Sequence, residues 1–524
     1  MIPNIILHFL CVYLLFIILL KLKSDKIHSF FLSVIFAVHP LFLNAVSWIP
    51  GRNDTILTLF VLLSFYFFIS YLDNKKYLEF ILSGLFTLCA LLSKETGLLI
   101  PLVFSLYYLI KEKKLDKNYI KWFVIWSLVL LIWFVFRSIS DLGENINKSG
   151  IEVILTNLAV FPEFIAKFFL PYSISVLPVY KVEVTIIGIL IIIALLLLPK
   201  FTKKFNTQTY FGLVWFFLFA LPAVIITTKN SNDWNQYLEC RSYLPIAGLL
   251  IFLSNFIRND LFSLSNKRNQ LIFLVILAAF ITINFIESFN YQNSLNFYES
   301  AVKDTPDRAL YNEILCNIYM ANGFNEKAEQ TYLRMTESNP DYSKYFLKLG
   351  EFYYNTKQFN KSLEPLKKSY SLDTHNRYAL SLLLNSYTQL NMADSSIIVL
   401  RRIYKDTINY PEAFIDLLNL LIRQEKFGEA TDIAMDRIKS GYDKTIILEL
   451  YSNWSRQFFE EKNNPVMIKI LEETLKIEPE NAKIINYLYE SYQTAGINDK
   501  AEYYLNILKK IYIKKELKKY IEEE

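Results

Sequence analysis

Ten apolar runs follow one another through the first 290 residues: 2–20, 27–49, 55–72, 77–92, 96–110, 119–137, 183–198, 210–227, 242–257 and 270–287. Such runs are apolar on every side of a helix, a pattern that calls for lipid as solvent. Several are near the short limit for a bilayer. Runs 77–92 and 96–110 are parted only by Ser93, Lys94 and Glu95. One helix of about 34 residues would reach ~50 Å, too long for a single crossing, so a tight hairpin with its tip at the membrane surface is expected. Residues 2–20 are followed by Lys21 and Lys23, have spanning length, and lack the charged start and small-residue cleavage site of a removable signal.

The pattern changes after residue 295. Lys, Glu, Asn and Tyr become frequent, and residues 309–515 repeat with a period of 34. With starts at 309, 343, 377 and 411, the eleventh position reads Tyr319, Tyr353, Tyr387 and Leu421. The twentieth reads Ala328, Ser362, Ser396 and Ala430, and the twenty-fourth reads Tyr332, Leu366, Leu400 and Ala434. Small residues let two antiparallel helices approach, and large ones fill the groove between successive pairs. A fifth, irregular unit spans 445–481, and a sixth starts at 482. The expectation is all-α: a polytopic bundle over 1–290, a connector helix over 291–308, a tetratricopeptide-repeat (TPR) superhelix of about six units over 309–515, and a charged tail over 516–524. Such a superhelix has a concave face suited to a polypeptide, although it can also serve as a spacer.

Charge gives an orientation. Loops 21–26, 73–76, 111–118, 199–209 and 258–269 carry fifteen Lys and Arg, against seven in 50–54, 93–95, 138–182 and 228–241. The basic set is expected in the cytoplasm, with both chain ends and the repeats outside. The net charge of +5 is spread over these loops and not gathered in a patch, so no nucleic acid is expected as a partner. Cys11, Cys89, Cys240 and Cys316 have no metal-ligand spacing, and neither a metal site nor a disulfide framework is expected.

Four polar clusters fall on the predicted outer side. The first is HPLFLNAVSWIPGRND, residues 39–54, where Pro40 should break the helix within the bilayer. Ionisable groups at that depth mark function by default; the plain alternative is an Arg52–Asp54 ion pair with His39 satisfying a carbonyl of the broken helix. The second is the tip, Ser93-Lys94-Glu95. The third is loop 138–182, with Asp141, Glu144, Glu152, Glu163 and Lys167. Its Pro-broken second half reads as an amphipathic helix on the outer leaflet with solvated acids. The fourth is DWNQYLECRSYLPIAG, residues 233–248, with Glu239 and Arg241 before a span and Trp234 and Tyr237 suited to the aromatic belt. Together they describe an outer cavity with Arg52, Lys94 and Arg241 available to a phosphate.

These residues carry a resemblance. HPLFLNAVSWIPGRND resembles the H-P-x-x-x-x-A-V-x-W-x-x-G-R-x-D stretch of the transmembrane and tetratricopeptide-repeat glycosyltransferases, which include O-mannosyltransferases. LLSKETGLLIPLVF resembles their S-K-E…P segment, and LECRSYLPIAGLL their E-x-R-x-Y-L-P-x-x-G-L segment. The resemblance implies a GT-C-type membrane bundle that takes sugar from a polyprenyl- or dolichyl-phosphate carrier on the outer face and passes it to an acceptor such as a protein hydroxyl. By the same implication Arg52, Lys94 and Arg241 bind donor phosphate, and His39, Asn44 and Trp48 shape the pocket. Asp54, Glu95 and Glu239 are the candidate catalytic carboxylates. Membrane lipid, the polyprenyl-phosphate sugar and a polypeptide on the concave face are the expected partners, with a bacterial inner membrane as the location; no further cofactor is implied. The family begins with one more helix and an acidic first loop, and no residue here matches that loop. A preceding helix outside these 524 residues is expected; an inactive chain is the alternative. A non-catalytic membrane-anchored scaffold and a polymerase or ligase of surface polysaccharide remain the competing readings.

Overall fold

The computed structural model describes residues 2–139, 155, 157–204, 206–225, 237–256, 267–406, 410, 412–461 and 464–522. They divide into two compact units, Met1–Ala328 and Glu329–Glu524. Both are helical, and no strand occurs among the described residues.

In the first unit an apolar helix stands at each of the ten expected places. Among the described residues six are long and apolar enough to cross a membrane by themselves: Ile2–Lys21, Arg52–Asn74, Lys117–Ile139, Val182–Thr202, Thr207–Val224 and Lys267–Tyr291. Lys26–Val38 and Pro40–Ser47 make a seventh only as a pair bent by 50°. Tyr77–Ser93, Ile100–Glu112 and Tyr243–Ser254 have 17, 13 and 12 residues. The expected ten spans are therefore six or seven full-length helices and three shorter ones. The helix Arg52–Asn74 is the axis of the bundle: 67% of its apolar window is buried, against 6% for Lys267–Tyr291, which leaves nearly its whole surface to lipid. Rings of Phe104, Tyr107, Phe211 and Trp215 close around Phe65. A polar clasp holds two helices together, as Ser64 bonds the Ser83 carbonyl at 2.9 Å and Thr87 at 2.8 Å.

The break at His39-Pro40 follows from covalent chemistry. Pro40 has no N–H, so the helix cannot continue through it. The turn that follows would strand carbonyls in lipid, where each unpaired group costs several kcal/mol, on the order of 2–7. Side chains cap them instead: His8 Nε2 contacts the Ala37 carbonyl at 2.9 Å, and Asn284 donates to that of Val38 at 2.7 Å.

Two further contacts position later elements. Gly188 lets the helix Val182–Thr202 press onto Val160–Phe169, since a Cβ there would lie 2.0 Å from the Pro162 carbonyl oxygen. The helix Ser294–Asp304 is held from both sides: Phe297 stacks on Trp48 at 6.0 Å, and Glu299 accepts from Tyr319 at 2.8 Å and Lys327 at 3.0 Å.

The repeat region contains six antiparallel helix pairs among the described residues, beginning at Ala309, Ser343, Arg377, Ala413, Lys444 and Ala482. The small positions Ala328, Ser362, Ser396 and Ala430 are all buried, as close helix packing requires. A latch recurs: Tyr353 donates to Glu329 at 2.8 Å while Lys361 reaches the same carboxylate at 3.1 Å, and Tyr492, Glu472 and Lys500 repeat the arrangement. Cys11, Cys240 and Cys316 are buried, and Cys89 is half-buried.

Candidate functional site

The charges of the first, second and fourth clusters meet at one cleft. Its lining includes Asp54, Lys94, Arg241, Thr96, Pro222 and Pro245. Asp54 comes from the first turn of Arg52–Asn74, Lys94 from the hairpin tip, and Arg241 from the short 3-10 turn Glu239–Ser242. Lys94 Nζ lies 2.5 Å from Asp54 Oδ1, and both side chains are largely buried. An ion pair in such surroundings has lost much of its hydration and holds only because each charge meets the other. Nε of Arg241 is buried and has no acceptor. The cleft thus presents one cation already paired and a second with an unused donor.

The other sequence candidates stand elsewhere. Arg52 does not pair with Asp54; it donates from Nε to Asn4 Oδ1 at 2.7 Å, and Asn4 donates to the Val46 carbonyl. Residues two apart on a helix point away from each other, which is why Asp54 finds Lys94 instead. Glu95 is exposed and pairs with Arg137 at 3.0 Å. His39 is 2% exposed, takes the Leu41 N–H on Nδ1, and contacts the Phe168 carbonyl through Nε2 at 2.8 Å. Its partners make Nε2 the protonated nitrogen, and its work is to fasten the broken helix. Trp48 stacks on Phe297. Asn44 donates to the Val176 carbonyl and to the Tyr291 hydroxyl, and its own Oδ1 is buried without a donor.

The third cluster differs most from expectation. Glu163, on the helix Val160–Phe169, is not solvated: it and Lys167 are 0% and 2% exposed. Lys167 Nζ is 2.7 Å from Glu239 Oε1 and 3.9 Å from Glu163 Oε2, over the face of the Tyr237 ring. Glu163 is fully engaged: it accepts from the Tyr237 hydroxyl at 2.7 Å, the Thr185 hydroxyl at 2.9 Å and the Lys181 N–H at 3.0 Å. Burial pushes the Glu239 carboxyl above its ordinary range, and the Lys167 ammonium pulls it back. Asp141, Glu144, Glu152 and Trp234 lie outside the described residues. Among the described residues no group of His, Cys, Asp or Glu is placed to hold a metal ion.

Residues 1–137 match the model of the dolichyl-phosphate-mannose-protein mannosyltransferase family, so the resemblance read from the motifs has a match that includes His39, Asp54 and Lys94. No curated protein matches the chain. Solved structures that resemble the repeat region include MamA (18% identity, 38% of this chain and 96% of that one, TM-score 0.16). YrrB, a TPR protein with an unusual peptide-binding site, is similar over 36% of this chain and 96% of its own at 14% identity and a TM-score of 0.25. Pseudomonas aeruginosa pilF is similar over 38% and 90% at 16% and 0.21. At those scores the solenoid rests on the chain's own helix pairs.

Proposed function

We propose that this integral membrane protein is a glycosyltransferase that moves a sugar from a polyprenyl-phosphate-type carrier to an acceptor hydroxyl, with Arg241 and Lys94 holding the carrier's phosphate. The observation that carries the reading is the cleft itself. Lys94 and Asp54, both inside the family match, line it together with Arg241, which comes from a later part of the chain. A guanidinium with an unused buried Nε is suited to a phosphate oxygen.

The chemistry follows from those groups. As the bond from the sugar C1 to the phosphate oxygen breaks, its electron pair leaves with the phosphate, where Arg241 and Lys94 stabilise the growing charge. The acceptor oxygen bonds to C1 and gives up its proton to a carboxylate within reach. Of Asp54, Glu95 and Glu239, only Asp54 lines the cleft. A phosphate that draws Lys94 away from Asp54 frees that carboxylate to take the proton. In this reading the acceptor is a protein hydroxyl on the extracytoplasmic face of a bacterial inner membrane, delivered by a polypeptide lying on the concave face of the repeats.

Transfer from a radiolabelled polyprenyl-phosphate sugar, measured in membranes holding the full chain, tests the reading. Arg241→Ala should lower transfer by about 100-fold or more, the scale of losing one preorganised donor to a developing anion. Arg52→Ala should lower it less, because its Nε is engaged by Asn4. Equal transfer by the parent chain and Arg241→Ala would remove the cleft as the site.

A further inference from the structure

Arg241 owes its place to a turn of four residues, Glu239–Ser242, and nothing in those four residues alone fixes where the turn sits. Locally it is held by the Arg241 N–H on the Leu238 carbonyl at 3.1 Å and by Ser242 Oγ on the Glu239 carbonyl at 2.7 Å. Those bonds set its shape and not its position. Beyond its packing on Pro40–Phe42, Leu43–Ser47 and the helix it opens, Tyr243–Ser254, it is fastened by Glu239, whose Oε1 meets Lys167, 72 residues earlier in the chain, at 2.7 Å. Tyr237, just before the turn, is tied to the same helix through Glu163. Glu163 is in turn fixed by Lys181 and Thr185 at the start of the next helix, so the anchor is braced from three segments.

We infer that Lys167, braced by Glu163, is a positioning residue that sets Arg241 toward the cleft for phosphate binding. Glu239 and Arg241 are two apart on one tight turn: the first turns inward to Lys167, and the second lines the cleft with Asp54 and Lys94. A buried lysine between two carboxylates is a costly device where an apolar contact would pack as well. Such a device holds a turn in one direction as well as at one distance, since the ion pair fails if the turn rotates. An apolar contact tolerates that rotation. This assignment rests on the phosphate-binding reading of the cleft.

The test is equilibrium binding of radiolabelled polyprenyl phosphate to the full chain in detergent, with thermal unfolding followed on the same samples. The key variant is Lys167→Met/Glu239→Leu, which removes the 2.7 Å pair and leaves Glu163 on its three hydrogen-bond donors, Tyr237, Thr185 and the Lys181 N–H. Measured well below its unfolding temperature, which falls because Glu163 has lost its cation, it should bind about tenfold more weakly, as a displaced binding group does. Glu239→Gln, whose amide oxygen still accepts from Lys167, should restore binding to within about threefold of the parent. If the double variant does not fold, Tyr237→Phe carries the same test with every charge kept: weaker binding at an unchanged unfolding temperature is required. Parent-like binding by the double variant, or by Tyr237→Phe in its place, overturns the inference and leaves the cleft reading intact, provided Arg241→Ala still weakens binding. No binding by the parent chain itself sinks the cleft reading and this inference with it.

Discussion

Ion pairs in the membrane unit and in the repeats use the same side chains for different ends. Lys167 and Glu239 are 2% and 0% exposed and draw in a second carboxylate, Glu163, and one tyrosine, Tyr237. Lys361 and Glu329 are 55% and 26% exposed and share one tyrosine between neighbouring helix pairs. Among the repeats, charge is inexpensive because water still reaches it, and a pair is one of many small contributions to stacking. Inside the bundle each charge must be matched within the fold, so a few charges concentrate where several helices converge.

The difference can be broken most forcefully at the lysines. Lys167→Met alone should cost ~3–5 kcal/mol, because it leaves Glu239 and Glu163 buried without a cation. Lys361→Met should cost only ~0.2–1 kcal/mol. Thermal unfolding of the full chain in detergent compares them, and similar losses would erase the distinction. A second comparison uses glycines. Gly188→Ala drives a methyl to 2.0 Å from backbone at Pro162 and should cost ~1–3 kcal/mol or more through forced separation of two helices. Gly323→Ala meets no atom within 4 Å and should cost about 1 kcal/mol, through its left-handed φ of +76° alone. The smallest effect concerns pH. The Tyr353 hydroxyl, with Lys361, holds the Glu329 carboxyl below its ordinary range. Its contribution is therefore complete above the unfolded value of about 4.3 and fades as pH falls through the lower, folded value. Glu329→Gln should flatten the acid side of the repeat unit's unfolding curve, and an unchanged acid slope would assign the pH dependence to other groups.

Much of the fold was legible because it is written in periods. Apolar runs mark the bundle helices, a 34-residue rhythm marks the repeats, and Pro40 marks the break. The three short helices at 77–112 and 243–254 could be located but their lengths could not be graded, because composition does not say where a helix stops inside protein instead of lipid. Residues of the candidate cleft were legible where charge stood out against apolar neighbours, as with Lys94 and Arg241. Their partners were not. Asp54 had Arg52 nearby in sequence and chose Lys94, 40 residues on. Glu163 and Lys167, at i and i+4, suit a helix face turned to water as well as one turned to a distant Glu239. The one available hint was that both sit within FPEFIAKFF, where a wetted face would have to be very narrow.

The double grip on the helix Ser294–Asp304 has a consequence for anyone wishing to sever the two halves of the gene. A cut at residue 290 would take away Phe297, leave Trp48 with a bare ring face, and remove Glu299 from beneath Tyr319 and Lys327. The lipid-embedded half would then expose an aromatic wound at the end of its own bent helix pair. The seam that keeps Phe297, Glu299, Tyr319 and Lys327 together falls after the first helix pair, which ends at Ser338.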